Sequence, residues 1–207
     1  MGIEKIALFA RTTVWPNKPI DGFNNVSPNI DRYDEDYEMT KNGDKKITSA
    51  LKKLMHLHGI KVYSFDTDDP DEKGRRILQE ADEVILAVDA RVSGHADSFR
   101  CAKKFLNYTE PGEAAPWAPY LLLTNADLVS PKGRQNAADI IRECWLMWVP
   151  SLSEARCSYP VIYCAHDYNH FSMDGEHYEE GIDIVVNYMT EQQDYWNKHR
   201  KWAQGLY

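Results

Sequence analysis

The chain has 207 residues, 43% of them apolar and 27% charged, which excludes a disordered, collagen-like or coiled-coil protein. Its 32 acidic side chains outnumber 24 basic ones, and the formal net charge of -8 repels phosphate backbones, so no nucleic-acid partner is expected. One phosphate held locally by backbone amides is compatible with that charge.

In chain order, MGIEKIALFARTT offers only the apolar run from Ile6 to Ala10, too short for a signal core or a membrane span. A cytoplasmic location without membrane contact is therefore expected, and most of the four cysteines (Cys101, Cys144, Cys157, Cys164), which lack CxxC spacing, read as buried thiols. Lys5 to Ala10 predicts the first strand. Arg11 to Asp44 is polar, holds Pro16, Pro19 and Pro28 and the acidic run DRYDEDYE, and is long enough to suggest a functional segment.

The spacing of Ile47, Leu51, Leu54, Met55 and Leu57 predicts a helix over Lys46 to His58 closed by Gly59, and Ile60 to Phe65 predicts the second strand. A helix over Asp71 to Ala81, a third strand over Glu83 to Val88 and a helix over Ala96 to Asn107 follow. A fourth strand over Tyr120 to Thr124, a helix over Arg134 to Trp148, a fifth strand over Val161 to Cys164 and a long helix over His177 to Trp202 complete the series. Short apolar strands alternating with helices call for a five-stranded parallel sheet covered on both faces, an α/β doubly wound sandwich. No internal boundary is visible, so residues 1–207 read as one domain with a loop insertion at about 11–45 and an extended C-terminal helix.

In such sheets ligands lie outside the carboxyl ends of the strands, which selects the segments that follow each strand. Beyond strand one, Arg11, Thr12, Thr13 and Asn17 can cradle an anion through hydroxyls, amides and one guanidinium. Beyond strand three, Ser93 and Gly94 allow close backbone approach, and His95 can move a proton near neutral pH, the candidate catalytic residue. Ser93 or Asp97 can equally cap the next helix. Thr124-Asn125-Ala126-Asp127 resembles the base-reading element of GTPases, but ARTTVWPN puts Pro16 where that family needs its phosphate-gripping lysine, which leaves at most a degenerate GTPase. His166, His170 and His177 with Asp167 and Asp174 match no metal-ligand spacing and read as a polar loop, so no metal is expected.

Together these segments resemble the flavodoxin-like NAD(P)H-dependent FMN reductase family. KIALFARTTVWPN is similar to its strand and phosphate loop, ADEVILAVDARVSGHADSFRCAKKFL to its strand, flavin-contacting loop and helix, APYLLLTNADLVSPKGRQNAADIIRECWLMWVPS to its fourth strand, loop and helix, and HFSMDGE to the stretch before its last helix. Asp89-Ala90-Arg91 departs from it, standing where the family has Pro-x-Tyr. The resemblance implies strand order 2-1-3-4-5, FMN as cofactor, NAD(P)H as co-substrate, a small acceptor such as a quinone or free flavin, and a dimer. Arg11, Thr12, Thr13 and Asn17 would then hold the phosphate, Ser93, Gly94 and His95 the ring edge, and Thr124 and Asn125 the far side. DEKGRRILQEADEVILAVDA also resembles the nucleoside 2-deoxyribosyltransferase and N-glycosidase family, with Asp97 the nearest match to its nucleophile. A catalytically silent binding protein on the same scaffold is the third reading.

Overall fold

The computed structural model describes residues 2–10, 46–65, 71–91, 120–148 and 161–203. The elements are β1 (Lys5–Ala10), α1 (46–57), β2 (Lys61–Phe65), α2 (Asp71–Glu80), β3 (Glu83–Asp89), β4 (Tyr120–Thr124), a 3₁₀ turn (Ala126–Leu128), α3 (Pro131–Trp148), β5 (Ile162–Cys164), β6 (His170–Ser172), β7 (Glu179–Glu180) and α4 (Asp183–Ala203). They form a Rossmann-like α/β sheet in the order β2-β1-β3-β4-β5-β6-β7. The expected helix at Ala96 to Asn107 lies outside the described residues.

Strand periodicity divides the core in two. Ala7, Phe9, Val84, Leu86, Val88, Leu121 and Leu123 face α2 (Ile77, Leu78) and α3 (Ala137, Ala138). Their chain neighbours Ile6, Leu8, Ile85, Ala87, Tyr120 and Leu122 face α1 (Ile47, Leu51, Met55) and α4 (Val185, Met189). β3 and β4 are buried along their whole length, as strands covered on both sides must be. Each fully buried Leu or Ile here contributes about 2 kcal/mol of transfer free energy.

Local signals explain the element ends. Gly59 sits at φ 73°, and the N–H groups of Gly59 and Ile60 donate to the carbonyls of His56 and Met55, a left-handed helix stop that turns the chain into β2. Ser130 Oγ accepts from the Gly133 N–H at 3.2 Å and caps α3, with Pro131 in the first helical position. Asp82 Oδ2 accepts from the N–H groups of Glu4 and Lys5, each at 2.9 Å, which ties the start of β3 to the start of β1.

The expectation of a five-stranded, all-parallel sheet is corrected. β1 through β5 pair in parallel, but β6 and β7 add two antiparallel strands, so the sheet is mixed and seven-stranded. These strands have three and two residues and carry His170, Ser172, Glu179 and Glu180 rather than an apolar run, so periodicity does not reveal them. They also move the start of the last helix from His177 to Asp183, after Gly181 at φ 86°. No helix among the described residues is long and apolar enough to cross a membrane.

Candidate functional site

The carboxyl ends of β3, β4 and β5 lie side by side, and their first polar residues are joined. Asp89 closes β3 with its side chain only 2% exposed. Its Oδ1 accepts from Arg91 N at 2.9 Å and Arg91 Nε at 3.0 Å, and its Oδ2 accepts from Arg91 Nη2 at 2.7 Å and Asn125 Nδ2 at 2.8 Å. A buried carboxylate is tolerated when it is paired and saturated with donors, and four donors achieve that here. The chain of contacts continues to the turn after β5, because Tyr168 Oη donates to Asn125 Oδ1 at 3.4 Å.

Two non-glycine residues among the described ones have positive φ, Asn125 at 54° and Tyr168 at 59°, and both belong to this network. Asn tolerates the left-handed region, whereas a bulky Tyr there is an outlier held by its surroundings. The turn after β5 holds it, with Tyr168 N–H donating to Ala165 O at 3.0 Å and Ala165 N–H to His170 O at 2.9 Å. The ring also packs against the core that faces α1 and α4.

A second link spans the same strand ends. His166, just beyond β5, donates its backbone N–H to Asp127 Oδ1 at 2.8 Å and its ring Nδ1–H to Asp127 Oδ2 at 2.5 Å. An ionised carboxylate only accepts, so Nδ1 carries the proton and Nε2 is left as the acceptor of the neutral ring. Asp127 sits on the 3₁₀ turn, which is pinned by Arg134 Nη1 donating to Ala126 O at 3.1 Å and Val129 O at 3.0 Å. The imidazole is 61% exposed, and hydrogen bonding to Asp127, then the charges of Asp127 and Asp167, push its pKa up.

Two further imidazoles are held by their own turns. Asp167 Oδ1 accepts from the N–H groups of Asn169 and His170 while Oδ2 holds His170 Nδ1, and Asp174 repeats this with Glu176 and His177. For Asp167 burial works against ionisation, but the Asn169 and His170 bonds outweigh it and lower its pKa. Asp174 lies well below the ordinary carboxylate range, chiefly because of the His177 N–H. No metal-holding group of three His, Cys, Asp or Glu occurs among the described residues. Cys164 is a buried free thiol, and burial pushes its pKa far up, so it is no nucleophile in this state.

Of the residues expected from sequence to form the site, Arg11, Thr12, Thr13, Asn17, Ser93, Gly94, His95 and Asp97 lie outside the described residues. Thr124 and Asn125 stand at the carboxyl end of β4, 4% and 3% exposed. Thr124 Oγ1 lies 3.5 Å from Val88 O, and the Asn125 amide is committed to Asp89. These two side chains therefore form the wall of the rim. Asp127, placed by its resemblance to a base-reading carboxylate, is occupied by His166. Sequence reasoning passed over Asp89 as a hub, Tyr168, and the pairing of Asp127 with His166; the repeated Asp-x-x-His spacing of 167–170 and 174–177 was readable. Comparison with protein-family models, curated proteins and solved structures found no match to this chain.

Proposed function

We propose that the protein is a flavodoxin-like FMN-dependent NAD(P)H oxidoreductase acting on a small acceptor such as a quinone or free flavin. The observation that carries this reading is the strand order β2-β1-β3-β4-β5. It reverses between β1 and β3, and a crevice at that reversal is where doubly wound sheets take mononucleotides. The segments leaving those two strand ends begin at Arg11 and contain Thr12, Thr13 and Asn17, and Ser93, Gly94 and His95, the groups expected to hold a phosphate and a ring edge.

Thr124 and Asn125 do not fit a direct side-chain grip on flavin, since both are turned to protein partners. Their part in this reading is to stiffen the neighbouring strand end. FMN, when bound, supplies two-electron transfer between nicotinamide and acceptor; the chain supplies position and electrostatics. The reading includes a homodimer.

The test is the visible absorption spectrum of the purified protein, together with quenching of FMN fluorescence at micromolar protein. A flavin spectrum or saturable quenching is expected, weakened in Thr12→Ala with Thr13→Ala. A colourless protein that leaves FMN fluorescence unchanged overturns the reading. Cleavage of deoxynucleosides that is lost in Asp97→Ala would move the protein to the glycosidase class. A second reading, a silent binding protein, is favoured by one observation: Asp89, Arg91 and Asn125 satisfy one another at the strand ends. Inertness in both assays with a stable partner in a pull-down would select it.

A further inference from the structure

Four imidazoles among the described residues pair with carboxylates, His58 through Nε2 with Asp183 and three through Nδ1, and these three are not alike. His170 and His177 each pair with an Asp three residues earlier, in turns that need that Asp for their own backbone N–H groups. His166 pairs with a residue 39 positions away, so the contact joins the loop after β4 to the loop after β5. Asp127 is the least exposed of the three carboxylates, 25% against 40% and 56%, and a less solvated carboxylate orients a ring more firmly. Two bonds from one residue, backbone and ring, set His166 against both oxygens. The result is an exposed ring with Nε2 as its acceptor, on the sheet edge where α/β proteins carry chemistry, beside strained Tyr168.

We propose that Asp127 and His166 form a general-base dyad for hydrolysis of a small, neutral carbonyl compound of the ester class at the ends of β4 and β5. The oxygen of a water bonds to the carbonyl carbon while His166 Nε2 takes one of its protons. That proton passes to the departing oxygen as the carbon–oxygen bond breaks, so ester and water give acid and alcohol with no change of oxidation state. Asp127 stays ionised throughout and acts as a positioning residue, holding Nδ1–H and stabilising the imidazolium. Asp127 and Asp167 both face His166 electrostatically, a field that disfavours anionic substrates. The phenol of Tyr168, on the same turn, is turned to Asn125 Oδ1 at 3.4 Å and belongs to the strand-end network, so the dyad consists of Asp127 and His166 alone.

The proposal does not rest on flavin, and its test omits FMN. The probe is 4-nitrophenyl acetate, with release of 4-nitrophenolate followed for wild type, His166→Gln, His170→Gln, His177→Gln and Asp127→Asn. A saturable rate is expected that falls ~10-fold or more in His166→Gln and is retained in His170→Gln and His177→Gln. Asp127→Asn is expected to lower the rate and shift the rising limb of its pH profile to lower pH. Equal rates in wild type and His166→Gln overturn the proposal, as does an equal loss in all three histidine variants, which signals background surface imidazole. A readout without substitution is nitrogen NMR of the wild type above the His166 titration, where the Nδ1–H tautomer is expected and a dominant Nε2–H tautomer overturns the dyad.

Discussion

Asn125 Nδ2 donates to Asp89 Oδ2 at 2.8 Å across the ends of β4 and β3, and this bond completes the donor set around a nearly inaccessible carboxylate. Removing charge from such a pair leaves Arg91 facing a neutral group in a poorly solvated place, and breaking a buried pair costs about 3 kcal/mol. Asp89→Asn is expected to destabilise the protein by about that amount, read as a lower urea midpoint at unchanged slope. A loss below about 1 kcal/mol would mean that the network is ornamental to stability.

Asn125 also tests backbone strain, because its φ of 54° is easier for Gly than for Ala. Asn125→Ala loses the bonds to Asp89 and Tyr168 and keeps the strain, and Asn125→Gly loses the bonds alone. Both are expected to destabilise, with Gly better than Ala by about 1 kcal/mol. Equal stabilities would show that the left-handed turn has relaxed.

The pH dependence follows from the histidine pairs. His166 and His177 are both raised by hydrogen bonds to, and the charge of, Asp127 and Asp174. A raised folded value favours folding below the unfolded value near about 6.5, and the contribution fades as pH rises through the folded value. Asp174 is lowered, so its contribution is present above the ordinary value of 3.8 and is lost as pH falls. The Asp174–His177 pair is therefore strongest between about pH 4 and 6.5. Proton NMR should place both imidazole midpoints above about 6.5, and Asp127→Asn and Asp174→Asn should each bring their own partner down toward it. Midpoints at or below that value in the wild type would contradict the pairing.

Strands whose side chains are buried on both faces were legible in the sequence, because KIALFA, EVILAVD and YLLLT carry long apolar runs. The hairpin of β6 and β7 was not, since it pairs Phe171 with Glu179 and His170 with Glu180, and two-residue strands leave no period to read. Asp82, which lies in the segment ADEVILAVDA common to both family resemblances, accepts from the backbone N–H groups of Glu4 and Lys5 at the start of β1, at the end of the sheet opposite the strand-end network. The role of Asp89 as a hub is not legible in the sequence, because Arg91 lies two residues away but Asn125 reaches it across 36 residues only by folding. Asp127 and His166 stayed apart for the same reason, being 39 residues distant in sequence.

Tyr178 separates a structural hydroxyl from a tolerated one. Its Oη is inaccessible and has no hydrogen-bond partner among the described residues, and burial, helped by the charge of Asp127, raises its pKa against the opposing charge of Arg134. An unsatisfied buried hydroxyl costs about 1–3 kcal/mol, so deleting it at constant shape removes a penalty. Tyr178→Phe is therefore expected to be neutral or to stabilise by about 1 kcal/mol. Chemical denaturation decides it: a loss of more than about 0.5 kcal/mol would reveal a partner for that hydroxyl, since a satisfied bond is worth about that much or more.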